Sequence, residues 1–143
     1  MNKKLIWILL LLITIIMSSC TKQPTACIKE HCFEIEISKT QQTREIGLMH
    51  KEYMESNKGM LFIFDRPDNY PFWMKNTIIP LDIIWINSNQ EIAHIEEAIP
   101  CKNDPCQIYN PNKKALYVLE INQGISKNYK FEEGNKVILK NIN

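Results

Sequence analysis

Hydrophobic and polar residues alternate over Phe33-Glu34-Ile35-Glu36-Ile37, the period-two signature of a strand with one buried face. Ser38 to Met49 breaks that period. Ser38 or Thr40 suits an N-cap, Ile46 and Met49 recur at helical spacing, and Gly47 limits the segment to a short helix. Gly59 to Phe64 is nearly continuous in apolar residues, as a central strand covered on both faces requires. Asp65 to Asn69 is dense in turn formers, and Phe72 to Met74 resumes extended structure. Leu81 to Ile86 and Glu91 to Glu97 predict a hairpin through Asn87 to Gln90. In the register expected for such a loop, Trp85 faces Ile92 and Ile83 faces His94, while Asp82 lies on the opposite face near Ile95. Leu116 to Ile121 and Val137 to Leu139 supply further strands, and Ser126 to Lys130 one helical turn.

Strands outnumber helices, and prolines at 67, 71, 80, 100, 105 and 111 fall between strands or at their starts. The pattern predicts a mainly β fold: a compact antiparallel β-sandwich or barrel-like domain with one or two short helices.

The N-terminus has a different character. Lys3 and Lys4 precede an apolar run, Leu5 to Met17, which ends in Ser18-Ser19-Cys20. The run is shorter than the roughly 18 apolar residues of a membrane-spanning helix. It resembles a bacterial lipoprotein signal cleaved before Cys20. The expected organisation is a signal peptide over residues 1–19, lipidated Cys20 with a tether over 20–32, and one domain over 33–143. The membrane is then a partner through the lipid. Thr21 follows the cysteine where a retention aspartate would stand, so a cell with two membranes would carry the protein on the periplasmic face of the outer one.

About 120 residues remain after cleavage, enough for one core. The formal net charge of +1 argues against a nucleic-acid surface, which needs clustered Lys and Arg. Four cysteines remain besides Cys20, and an oxidising compartment would join them as two disulfides with three possible connectivities. Each pair is spaced C-x4-C, so the local pairing Cys27 with Cys32 and Cys101 with Cys106 is expected. Asp104-Pro105 favours a turn inside the second pair. Zinc and redox sites usually use tighter spacing, so no metal or cofactor is expected.

The candidate chemistry centres on Lys75, Asn76 and Asp82, polar residues set in the apolar run Phe72 to Asp82. Pro80 holds Ile79 extended and predicts a bend at which these side chains converge. A cation, an amide and a carboxylate suit a carboxylate, phosphate or polyhydroxyl ligand, with Trp73 as a flat stacking face. The bland alternative is an internal Lys75–Asp82 pair with Asn76 bonded to backbone. Arg44 offers a fork for an anion, or a clamp on Glu120 or on an exposed C-terminal carbonyl. Glu120 ends an apolar strand, where a carboxylate commonly meets water. His94 is expected to be a hydrogen-bonded core histidine, and the methionines read as packing. No hydrolase, zincin, P-loop or dinucleotide fingerprint is present.

Four motifs occur in order: Arg44-x-x-Gly47-Leu48-Met49, Gly59-Met60-Leu61-Phe62-x-Phe64, Phe72-Trp73-Met74-Lys75-Asn76-Thr77-x-x-Pro80-Leu81-Asp82, and Tyr117-Val118-Leu119-Glu120. Together they resemble the domain-of-unknown-function 192 (DUF192) family from about Phe33 to Leu139. The Cys101 to Cys106 segment beside its Asp-Pro turn also matches that family. The resemblance implies a small β-rich domain, commonly exported, and carries no established activity. The expected function is a lipid-anchored envelope protein binding a small polar or anionic ligand, or a glycan, through Arg44, Trp73, Lys75, Asn76, Asp82 and Glu120. The alternatives are an envelope enzyme using Asp82 or Glu120 with Lys75, and a structural or adaptor lipoprotein.

Overall fold

The computed structural model describes residues 22–142. The expected signal peptide over residues 1–19 and the expected lipidation at Cys20 lie outside the described residues. The chain forms β1 (Thr25–Ile28), β2 (His31–Ser38), α1 (Gln41–Ile46), β3 (Lys58–Asp68) and β4 (Phe72–Trp73). There follow β5 (Leu81–Ile86), β6 (Ile92–Ala98), β7 (Ile108–Tyr109), β8 (Ala115–Asn122), α2 (Ile125–Asn128) and β9 (Val137–Lys140). The fold is mainly β, as the residue pattern predicts.

Seven strands form one curled sheet in the order β6-β5-β8-β3-β2-β1-β9, and β4 pairs with β7 in a small second sheet. All neighbours in the large sheet are antiparallel except β2 and β3, which run parallel. The curl brings its two edges together at one end. Glu91 bridges Lys136, Ile92 N–H donates to the Asn135 carbonyl at 2.9 Å, and Val137 N–H donates to that of Gln90 at 2.8 Å. Closing edges in this way removes unpaired backbone groups.

The curled sheet buries both faces. Inside the curl lie Phe33, Ile35, Leu61, Ile84, Leu119 and Ile121, among others. The outer face carries Met60, Phe62, Ile83, Trp85 and Val118, covered by the chain after α1 and by the small sheet. This double burial explains why Leu81–Ile86 is buried at every position.

Two sequence expectations are corrected here. Residues assigned to the tether are strand: Thr25 to Ile28 pair with both β2 and β9, and the domain begins well before Phe33. The hairpin register also differs. Trp85 faces His94 and Ile86 faces Ile92, so Ala93 forms a bulge that shifts every later pairing. Ile83 therefore faces Glu96, and Ile92 joins the inner core rather than Trp85.

Both local disulfides are formed. Cys27–Cys32 joins directly opposed residues of β1 and β2, and Cys101–Cys106 closes the loop after β6.

Candidate functional site

Glu120 stands on β8 opposite Met60 of β3 and Ile83 of β5, which places its side chain on the outer face of the sheet. Its neighbours there are apolar, and only 4% of the residue is exposed. Gly59 permits the close approach of β3 behind it, since a Cβ at that position would lie 2.5 Å from the Glu120 carbonyl oxygen.

The cover over this carboxyl comes from two segments. Thr40 caps α1, accepting from Thr43 N–H at 3.1 Å. The helix then stops at Gly47, whose φ of +50° and ψ of −131° only glycine adopts easily, and whose N–H returns to the Thr43 carbonyl at 2.9 Å. The chain from Gly47 to Met49 thereby folds down over Phe62. The second segment is the turn after β4. Thr77 N–H closes it on the Met74 carbonyl at 3.2 Å, with Asn76 in the left-handed region. His50 N–H donates to the Asn76 carbonyl at 2.9 Å and ties one cover to the other.

Between cover and sheet remains a cavity of about 40 Å³, lined in part by Arg44, Gly47, Met49, Trp73, Thr77 and Glu120. Burial without a cation pushes the Glu120 carboxyl up to about 8, so it is neutral at pH 7. Its Oε2 is buried and makes no hydrogen bond among the described residues. A buried polar atom left unpaired costs roughly 1–3 kcal/mol, and the residue that carries it lines the cavity. The Thr77 hydroxyl donates to the Lys75 carbonyl at 3.4 Å, which leaves its acceptor capacity unused among the described residues.

The cavity adjoins a groove of about 270 Å³. One wall is α1, which presents Gln41, Arg44 and Glu45 at the i, i+3, i+4 spacing of a single helix face. The other wall is aromatic: Phe64, Tyr70, Phe72 and Trp73. Arg44 is held by the Lys39 carbonyl and, at 2.9 Å, by that of Ile63, with its guanidinium 5.1 Å from the Phe64 ring centre. Tyr70 stacks on Phe64 at 3.6 Å, and its carbonyl accepts from the Trp85 indole at 2.8 Å. Trp73 is 48% exposed, an uncommon position for so large an aromatic surface.

Of the residues singled out in the sequence, Arg44, Trp73 and Glu120 come together. Asn76 shapes the adjoining turn, and Lys75 stands at its outer side, 5.6 Å from the Trp73 ring centre and 3.4 Å from Asp104 Oδ2. Asp82 is elsewhere. It faces inward and is fully buried, and its carboxylate accepts from Gly124 N–H at 3.0 Å and Ser126 N–H at 2.7 Å. Asp82 thus anchors the start of α2 and forms no pair with Lys75. Arg44 pairs with no carboxylate among the described residues, so the clamp on Glu120 is absent there.

His94 is hydrogen-bonded, as expected, but does not lie in the core. It is partly exposed, with ring nitrogens 3.0 Å from Glu133 and 3.2 Å from Glu96. Cys101, Asp104 and Cys106 cluster closely enough for a metal, but both sulfurs are joined in the disulfide and are not thiolates. Sequence reasoning missed Gln41, Glu45, Phe64, Tyr70 and Thr77. The signal for the first two was available in their helical spacing with Arg44.

The family model DUF192, described as uncharacterized ACR, matches residues 24–139. A protein of unknown function from Novosphingobium aromaticivorans DSM 12444 has a crystal structure similar to this one, with 31% identity and a TM-score of 0.73 over 81% of this chain and 83% of that one. A putative transcription regulator from Sinorhizobium meliloti 1021 is similar at 31% identity and a TM-score of 0.76, over 83% of this chain and 94% of that one. No curated protein matches the chain.

Proposed function

The chain belongs to the DUF192 family of uncharacterised proteins, and we propose that it is a lipid-anchored envelope protein whose groove binds a small polar ligand. The carrying observation is Glu120, a residue with a buried, unpaired carboxyl oxygen that lines a cavity beside the Arg44–Trp73 groove. A carboxyl retained in apolar surroundings without a partner is costly for a structural residue, and a ligand group would satisfy it. The two disulfides support export, and Cys20 would carry the lipid. Among the described residues no helix is long and apolar enough to cross a membrane.

The binding test is an NMR fragment screen on the domain, followed by Glu120→Leu. Ligands should shift signals around Glu120 and Trp73 and lose affinity in the variant. Fragments that move neither set would end the proposal. Anchoring is tested separately, because Cys20→Ser should abolish fatty-acid labelling in cells and release the protein from membranes.

A second reading, an envelope enzyme, is favoured by the raised value at Glu120, which suits a general acid near neutral pH. Lys75 and Asp82 do not join Glu120 in that role, so the enzyme would rest on Glu120 with Thr77 and Arg44. Turnover of a bound ligand, lost in Glu120→Gln while binding persists, separates this reading from simple binding.

A further inference from the structure

We propose that the ligand is a neutral sugar, its ring lying in the groove between α1 and the aromatic wall, and its hydroxymethyl tip entering the cavity beneath to meet Glu120. The inference rests on the binding role proposed above and names the ligand class.

Size comes first. A cavity of about 40 Å³ has room for roughly two or three waters, or one small substituent, and none for a ring. The groove of about 270 Å³ shares Arg44, Glu45, Phe72 and Trp73 with that cavity and is large enough for a ring. The site therefore suits a ligand with a flat body and a short projecting tip.

Charge comes second. The wall on α1 combines a cation with a carboxylate and an amide, so it offers no net field for an anion. Gln41, Arg44 and Glu45 together supply donors and acceptors of the kind that vicinal hydroxyls use. The floor is neutral at pH 7, and its surroundings include Leu48, Met49, Phe62 and Phe72. An ionised tip entering there would lose its water among these apolar groups, and the one cation of the cavity lining, Arg44, is already engaged by the Lys39 and Ile63 carbonyls.

Hydrogen bonding comes third. A neutral carboxyl can donate to an incoming hydroxyl, and the Thr77 oxygen can accept that hydroxyl's proton. Water alone would satisfy the same atoms. The rings opposite α1 explain the remainder, because exposed Trp73 and partly exposed Tyr70 give the apolar face of a sugar a surface to cover.

The test titrates the domain with three hexose series, those of glucose, galactose and mannose. Each series compares the parent sugar with its 6-deoxy and uronate forms, which replace hydroxymethyl by methyl or carboxylate. NMR of the Trp73 indole and of methyl groups near Glu120 reports binding. The expected result is a parent sugar bound about tenfold or more tightly than its 6-deoxy and uronate partners at pH 7. Glu120→Gln should keep that preference and Glu120→Leu should erase it, with circular dichroism verifying the fold of both. A uronate or 6-deoxy form bound as well as its parent overturns the inference. So does a screen in which no hexose binds but an amine or acid fragment shifts the Glu120 region, an outcome that leaves the binding role intact. If neither sugars nor fragments move those signals, both fall together.

Discussion

Asp82 and Glu120 lie on opposite faces of one sheet, although both are carboxyl groups buried on adjacent strands. The register sets this division: Asp82 faces Ile121 while Ile83 faces Glu120. Asp82 receives two backbone N–H groups, and Glu120 Oε2 receives none among the described residues. The first is built into the fold, and the second belongs to a residue that lines the cavity.

Glu120 should make stability fall as pH rises. Its unfolded value is near 4.5 and its folded value about 8, so between them the folded state holds a proton that the unfolded state has released. Stability is then fully present below about pH 4.5 and is lost progressively up to about pH 8. The loss is on the order of 4 kcal/mol at the upper limit. Glu120→Gln should flatten this dependence and leave the variant more stable than wild type above neutrality. Urea denaturation at several pH values measures the slope.

Asp82→Ala should destabilise the domain by roughly 2–4 kcal/mol, because it strands the Gly124 and Ser126 N–H groups. Ligand affinity of the folded fraction should be unchanged, since Asp82 faces away from the groove. Thermal unfolding paired with a binding titration separates the two effects.

Gly59→Ala should be among the most damaging single substitutions, costing roughly 2 kcal/mol or more, because the new Cβ would meet the Glu120 backbone at 2.5 Å. Gly47→Ala should cost roughly 1–3 kcal/mol through its positive φ. It should also disturb the cavity, which Gly47 lines. Denaturation midpoints test both, and a ligand titration tests the second.

Replacing Cys101 and Cys106 together by serine should lower stability by roughly 2 kcal/mol, the loop-closure contribution of so short a loop. The groove should survive, because none of its wall residues lies in that loop. Reducing agent added to wild type should act in the same direction and also open Cys27–Cys32.

Local pattern made much of this fold legible. The period-two run at Phe33 to Ile37, the cap at Thr40 and the continuous apolar block at Gly59 to Phe64 each became the expected element. The Ala93 bulge was not legible, because a single extra residue leaves no mark on hydrophobicity but shifts the register beyond it. The site was legible by residue type and less so by arrangement. Lys75 and Asp82 are close in the chain, yet strand alternation sends Asp82 to the inner face. Glu120 appeared to be a strand end meeting water. Its burial depends on the segment after α1 and the turn after β4, distant in sequence from β8 and joined over it only in the folded chain.

The most direct test of the account is a pH titration of the Glu120 side-chain carboxyl by carbon NMR, without and with ligand. A midpoint near 8 in the free protein, moved by a ligand that also perturbs Trp73, is the predicted result. A midpoint near the ordinary 4.5, unmoved by any ligand, would contradict it.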